Sequence, residues 1–159
     1  MAKSLPCQVA APVRGVAQDG RTARFVQFAL LAGREAAASS GLDVHLGLGA
    51  GSSGDVGDGT GGEDDGEESD ELRRRRDRSG CSIGVGMSST RGVSDACLNS
   101  YPRGTVRRVT PHFVPLILPN SASGRLSLSL SLRGPCLSAS TACAAGAHAI
   151  GGAARLIQS

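Results

Sequence analysis

Gly134-Pro135-Cys136-Leu137-Ser138-Ala139-Ser140-Thr141-Ala142-Cys143-Ala144-Ala145-Gly146-Ala147-His148 is the stretch on which the reading of the fold turns. Its Gly-Pro opening breaks whatever precedes it. Small residues follow, and then an alanine-rich helical stretch reaching Ile157. Leu137 to Thr141 reads as a short buried strand, with Cys143 at the junction with the helix. A helix N-terminus offers unpaired N–H groups and the positive end of the peptide dipole. Reactive cysteines occupy such places, and the same donors can hold a developing oxyanion. Strand, sharp turn, nucleophile and helix is the order of a nucleophile elbow. Ala142, Ala144, Ala145, Gly146 and Ala147 let backbone and substrate come close.

A plainer alternative stands beside this one. Ala147, Ile150, Ala154 and Ile157 share one face at helical spacing, with Cys143 one turn before them. On that pattern Cys143 is a small buried hydrophobe, as free cysteines often are. His148 lies five residues on, about 140° round a helix of 3.6 residues per turn, and is expected to point away from the thiol.

Leu132-Arg133-Gly134-Pro135 and Ser140 to Gly151 together resemble the active-site segment of the β-ketoacyl-acyl-carrier-protein synthases, elongating condensing enzymes of fatty-acid synthesis. The likeness extends through Thr110-Pro111-His112-Phe113-Val114-Pro115 and Asn120 to Gly124, and returns in Arg24 to Ala29 and Ser40-Gly41-Leu42. It implies a thiolase-like layered α/β fold, incomplete, with only the amino-terminal half and a disordered insertion. It implies Cys143 as the acyl-accepting nucleophile, its backbone N–H contributing to the oxyanion hole, and Met87 and Phe113 as substrate-binding residues. The implied partners are acyl-carrier protein bearing acyl and malonyl thioesters, and a second copy of the chain in a homodimer when the protein is full length. No cofactor and no metal is implied. The compartment is cytoplasm in a bacterium and plastid or mitochondrion in a eukaryote.

Bulk properties narrow the classes. The chain has 159 residues, 23 of them glycine, no tryptophan, three phenylalanines and one tyrosine, so large core anchors are few. A net charge of +3 is too mild to suggest nucleic acid or an anionic membrane surface. No apolar run approaches the ~20 residues of a membrane span. The five cysteines form no CxxC pair and no metal spacing with the three histidines, which suggests reduced thiols rather than a disulfide framework.

In order along the chain, Ser4 to Val16 reads as an irregular lead-in. Thr22 to Ala38 is the best helix by pattern, with a stripe of Phe25, Phe28, Ala29, Ala32 and Ala36 and a stop at Ser39-Ser40-Gly41. These residues, 1–42, are expected to begin the ketosynthase amino-terminal domain, and 81–159 to continue it with the nucleophile segment. Between them, 43–80 is expected to be a low-complexity insertion or linker. Gly47 to Gly62 is rich in Gly, Ser and Asp, Glu63 to Glu71 is acidic, and Arg73 to Arg76 with Arg78 reverses the sign. On this reading, deleting 47–79 leaves activity intact. Cys81 to Met87 is expected to be a buried strand running into a glycine turn, and Gly92 to Leu98 weakly helical. Leu126 to Leu132 alternates Leu and Ser like a half-exposed strand, but Asn120-Ser121-Ala122 resembles the start of a family helix, and the helix is preferred.

The family's mechanism also needs two histidines and a lysine from segments downstream of the cysteine, and Ser159 precedes any of those motifs. The expected function is therefore 3-oxoacyl-acyl-carrier-protein synthase, an acyltransferase in which acyl thioester on Cys143 condenses with malonyl-acyl-carrier protein, this chain being a fragment that is inactive alone. The alternatives are a non-catalytic ketosynthase-like fragment or binding subunit, and a polyketide-type ketosynthase. The last is disfavoured by Ser140 in place of an acidic residue.

Overall fold

A computed structural model describes residues 13, 15–16, 22–48, 68–100, 109 and 111–159. Helix α1 (Arg24–Ser40) is followed by a single helical turn, α2 (Leu42–His45), then α3 (Asp70–Asp77), strand β1 (Cys81–Gly84), α4 (Thr90–Ser100), α5 (Phe113–Ile117), α6 (Ser121–Ser129), strand β2 (Cys136–Ala139), a 3-10 turn (Ala142–Ala144) and α7 (Ala145–Gln158). The lead-in before residue 13, and residues 49–67 of the expected insertion, lie outside the described residues.

The strands pair in parallel, with Cys81 opposite Cys136 and Gly84 opposite Ala139. Successive strand residues face opposite sides, and the side-chain contacts show which helix covers each side. Cys81 Sγ donates to the carbonyl oxygen of Ser123 in α6, while Ser82 Oγ donates to that of Ala149 in α7. Helix α7 thus covers one face, α6 covers the other, and α1 packs outside α6. This is a layered α/β arrangement with a small parallel sheet at its centre.

The core sits between α1, α6 and the sheet: Val26, Leu30, Ala37, Leu46, Val85, Ala122, Leu126, Leu130 and Leu132 are all buried. Helix α1 ends where expected, at Gly41, whose φ of +71° a side chain would strain. Its buried face differs from the expected stripe. Val26, Gln27, Leu30 and Ala37 are buried, whereas Ala32 and Ala36 are exposed and Phe25, Phe28 and Ala29 are half-buried. The contact with α6 decides this: a Cβ on Gly33 would lie 2.5 Å from Leu126 Cδ1, so α1 turns the Val26–Leu30–Gly33–Ala37 line toward α6. The first part of the Leu/Ser alternation, Leu126 to Ser129, is helical as the end of α6, and the chain leaves the helix at Leu130. Leu126 and Leu130, four apart, are buried, and Leu128 is exposed. Arg34 Nε donates to Ser129 Oγ at 3.1 Å, joining α1 to the end of α6.

Residues 68–80, grouped with the linker by composition, are folded. Ser69 caps α3 by accepting from the Leu72 N–H. Arg76 donates to Glu68 Oε1 at 2.7 Å and to the Leu46 carbonyl at 3.2 Å. Arg133 reaches Glu68 Oε2 at 2.8 Å, and its backbone N–H donates to the Arg76 carbonyl. One arginine of the basic run thereby ties α3 to α2 and to the approach to β2, while Arg73, Arg74, Arg75 and Arg78 remain exposed. Partial burial pushes the Glu68 carboxyl up, but Arg133 and Arg76 outweigh it and hold it below its usual range.

Candidate active site

Parallel strands deliver their C-terminal ends to the same edge of a sheet, where ligands of open α/β sheets bind. Here β1 runs into Val85-Gly86-Met87 and β2 into Ser140-Thr141-Ala142-Cys143. The two turns touch: a Cβ on Gly86 would lie 3.7 Å from the Ala142 carbonyl oxygen. The Val85 N–H donates to the Ala139 carbonyl at 2.9 Å, extending the ladder to the mouth of the site.

Helix α7 lies directly on β1 because Gly84 carries no side chain, and a Cβ there would overlap the Ala145 carbonyl. Ala145 and Ala149 are buried, and Ser82 Oγ holds the Ala149 carbonyl at 2.9 Å. The apolar line expected on α7 is not the packed one: Ile150 is 74% and Ile157 85% exposed. Closeness to the sheet selects the alanine face, since only methyl groups fit between a helix and a strand that meet at Gly84.

Cys143 sits in the 3-10 turn immediately before α7, as an exposed free thiol. This corrects the small-buried-hydrophobe alternative. The expected buried strand is corrected as well. Cys136, Leu137 and Ser138 are exposed, and β2 has β1 as its sole strand neighbour among the described residues. Ala142, just before the thiol, has φ +48°, a left-handed conformation unusual for a residue with a side chain. Such strain costs on the order of 1–3 kcal/mol and persists where the surroundings hold it. Two contacts hold it here. The Ala144 N–H donates to the Thr141 carbonyl at 3.1 Å, and Thr141 Oγ1 lies 2.7 Å from His148 Nδ1. The first turn of α7 has no side-chain cap, and the space beside Gly146 is open. The N–H groups of Ala144 and Ala145, which follow the thiol, bond the Thr141 and Ala142 carbonyls.

His148 bonds Thr141, a partner that its angular offset from the cysteine does not point to. The clip itself escaped the helical projection because Thr141 lies outside the helix. The strain at Ala142 has no sequence signal, since alanine is an ordinary choice for a helix start. Met87 leaves the same edge as Cys143 and is 67% exposed. Phe113 begins α5, which packs against α4 and α6, and it is half-buried. The structure thus brings Met87 to the cysteine's edge and sets Phe113 among the helices. Among the described residues, no three His, Cys, Asp or Glu groups lie together as a metal site. No helix among them is long and apolar enough to cross a membrane.

The family profile described as "Beta-ketoacyl synthase, N-terminal domain" matches residues 61–159, which span α3, both strands, the cysteine turn and α7. The chain belongs to this family. Over 98% of its length it is 32% identical to 3-oxoacyl-(acyl-carrier-protein) synthase 2 of Coxiella burnetii, covering 33% of that protein. An 83-residue stretch is 43% identical to the mitochondrial 3-oxoacyl-(acyl-carrier-protein) synthase of Arabidopsis thaliana, 52% of this chain and 18% of that one. The Staphylococcus aureus synthase 2 is 30% identical over 87% of this chain and 27% of its own. This β-ketoacyl synthase chain therefore spans about a fifth to a third of the length of the relatives it matches. The profile begins at residue 61, inside the segment expected to be an insertion.

Proposed function

We propose that Cys143 is the acyl-accepting nucleophile of a 3-oxoacyl-acyl-carrier-protein synthase. The observation that carries this reading is the exposed thiol in a strained turn between β2 and α7, ahead of a helix start that carries no side-chain cap. The deprotonated sulfur attacks the thioester carbonyl of an acylated carrier protein. The carbonyl π electrons move to oxygen, and the backbone N–H of Cys143 contributes to stabilising that charge. When the carbonyl re-forms, the C–S bond to the carrier breaks and the carrier thiolate leaves, with the acyl group now on Cys143. Met87, at the same edge, lies alongside the incoming chain. Phe113, at the start of α5, is the second substrate-binding residue of this reading. Condensation of the acyl group with malonyl-acyl-carrier protein is the proposed second half-reaction in the whole protein.

Acyl transfer is tested by incubating the chain with an acyl-carrier-protein thioester and locating the added mass within the tryptic peptide 134–155. Acylation on Cys143 that disappears in Cys143→Ala supports the reading. Acylation that survives that substitution refutes it.

A further inference from the structure

A second pair of thiols lies at the other end of the same strands. Cys81 and Cys136 are register partners, so both side chains project to the α6 face, and their sulfurs are 3.9 Å apart. Paired strands run about 4.7–4.9 Å apart, within the roughly 4.4–6.8 Å between Cα atoms that a disulfide spans. Bond formation therefore needs rotation of two side chains, with little movement of backbone. Cys81 Sγ donates to the Ser123 carbonyl at 3.4 Å, which keeps its sulfur on that face. Burial, and then the neighbouring Cys136 sulfur, push the Cys81 thiol up to about 12. Cys136 is exposed and Cys81 half-buried.

We propose that Cys81 and Cys136 form a redox-active pair that closes to an intramolecular disulfide on reaction with a small-molecule disulfide such as glutathione disulfide. Cys136, the exposed partner, attacks first. Its proton goes to solvent, a Cys136–glutathione bond forms, and one glutathione thiolate leaves. Cys81 then attacks the Cys136 sulfur, its proton passing to the second glutathione as that thiolate is expelled. Two protein thiols are oxidised and one glutathione disulfide is reduced to two thiols. The bond staples β1 to β2 at their N-terminal ends and leaves Cys143, at the opposite edge, free. The pairing does not depend on the acyl chemistry of Cys143.

The test uses the full chain, reduced, desalted, treated with glutathione disulfide, alkylated and digested with trypsin. The expected product joins peptide 79–91 to peptide 134–155 with loss of two hydrogens, and comes from the monomer band of a non-reducing gel. Because 134–155 contains both Cys136 and Cys143, fragmentation of the linked wild-type peptides locates the bond at Cys136 without recourse to any variant. The link should persist in Cys143→Ser and be lost in Cys136→Ser. A bond located at Cys143, a link found only between chains, or glutathione left on Cys136 with Cys81 still alkylatable would overturn the proposal.

Discussion

The two sides of this molecule are built on different terms. Where α1 meets α6, Val26, Leu30, Leu126, Leu130 and Leu132 interlock as large buried aliphatics. Where α7 meets the strands, the buried residues are Ala145 and Ala149, the strand offers Gly84 and Ser82, and Leu137, Ile150 and Ile157 stay exposed. Large side chains hold the first side by apolar burial, at roughly 25 cal/mol per Å² removed from water. The second side gains closeness instead: a helix resting on bare backbone, a thiol held in the open, and a left-handed alanine beside it. A reacting cysteine needs the second kind of surroundings and relies on the first to hold them still.

The sharpest separation of the two sides is Cys143→Ala. It should abolish acylation of peptide 134–155 while shifting unfolding free energy by no more than about 0.5 kcal/mol, as exposed positions generally do. Urea titration that showed a large destabilisation would mean the thiol is part of the scaffold after all. Leu126→Ala should have the converse profile. It removes the side chain against which Gly33 packs, and a loss of about 2–5 kcal/mol is expected from the transfer and cavity terms together. Arg76→Ala removes the tie from α3 to Glu68 and to the Leu46 carbonyl, and a cost of about 1–2 kcal/mol is expected for hydrogen bonds of this kind. An unchanged urea midpoint would return residues 68–80 to the status of a solvated linker.

Acid should loosen the same tie. The folded-state pKa of Glu68 lies below its usual 4.5. Its contribution is therefore fully present above the unfolded value and lost as pH falls through the folded one. The difference in thermal midpoint between the wild type and Glu68→Gln should accordingly shrink below that range. The smallest effect is expected at Ile150→Gln and Ile157→Gln, within about 0.5 kcal/mol of the wild type by denaturant titration. A loss comparable to that of Leu126→Ala would show that the exposed face of α7 is covered in solution, and would erase the contrast between the two sides.

The cysteine segment was legible before any coordinates because its elements are local. A Gly-Pro break, a short run and an alanine-rich helix are properties of consecutive residues, and so is the stop of α1 at Gly41. The helix at 121–129 was legible only through the resemblance, since the alternation of Leu and Ser has strand period. Faces were read less well. By periodicity the apolar stripe of α1 follows its aromatic residues and that of α7 its isoleucines, whereas burial goes to the lines that meet Leu126 and Gly84. Helical periodicity fixes which residues share a face, but a neighbour from elsewhere in the chain decides which face is covered.

The sequence by itself determined the order of strand, turn, thiol and helix, the end of α1 and the family to which the chain belongs. The first two rest on residues adjacent along the backbone, the family on several separate segments of it. Only the tertiary structure decided that the Thr141–His148 clip holds a left-handed Ala142, that one arginine of a basic run anchors α3, and that Cys81 and Cys136 share a rung of the sheet. The cysteines lie 55 positions apart, and no local rule relates residues at that separation. Parallel pairing brings them together, because it aligns two strands by their hydrogen bonds whatever length of chain connects them.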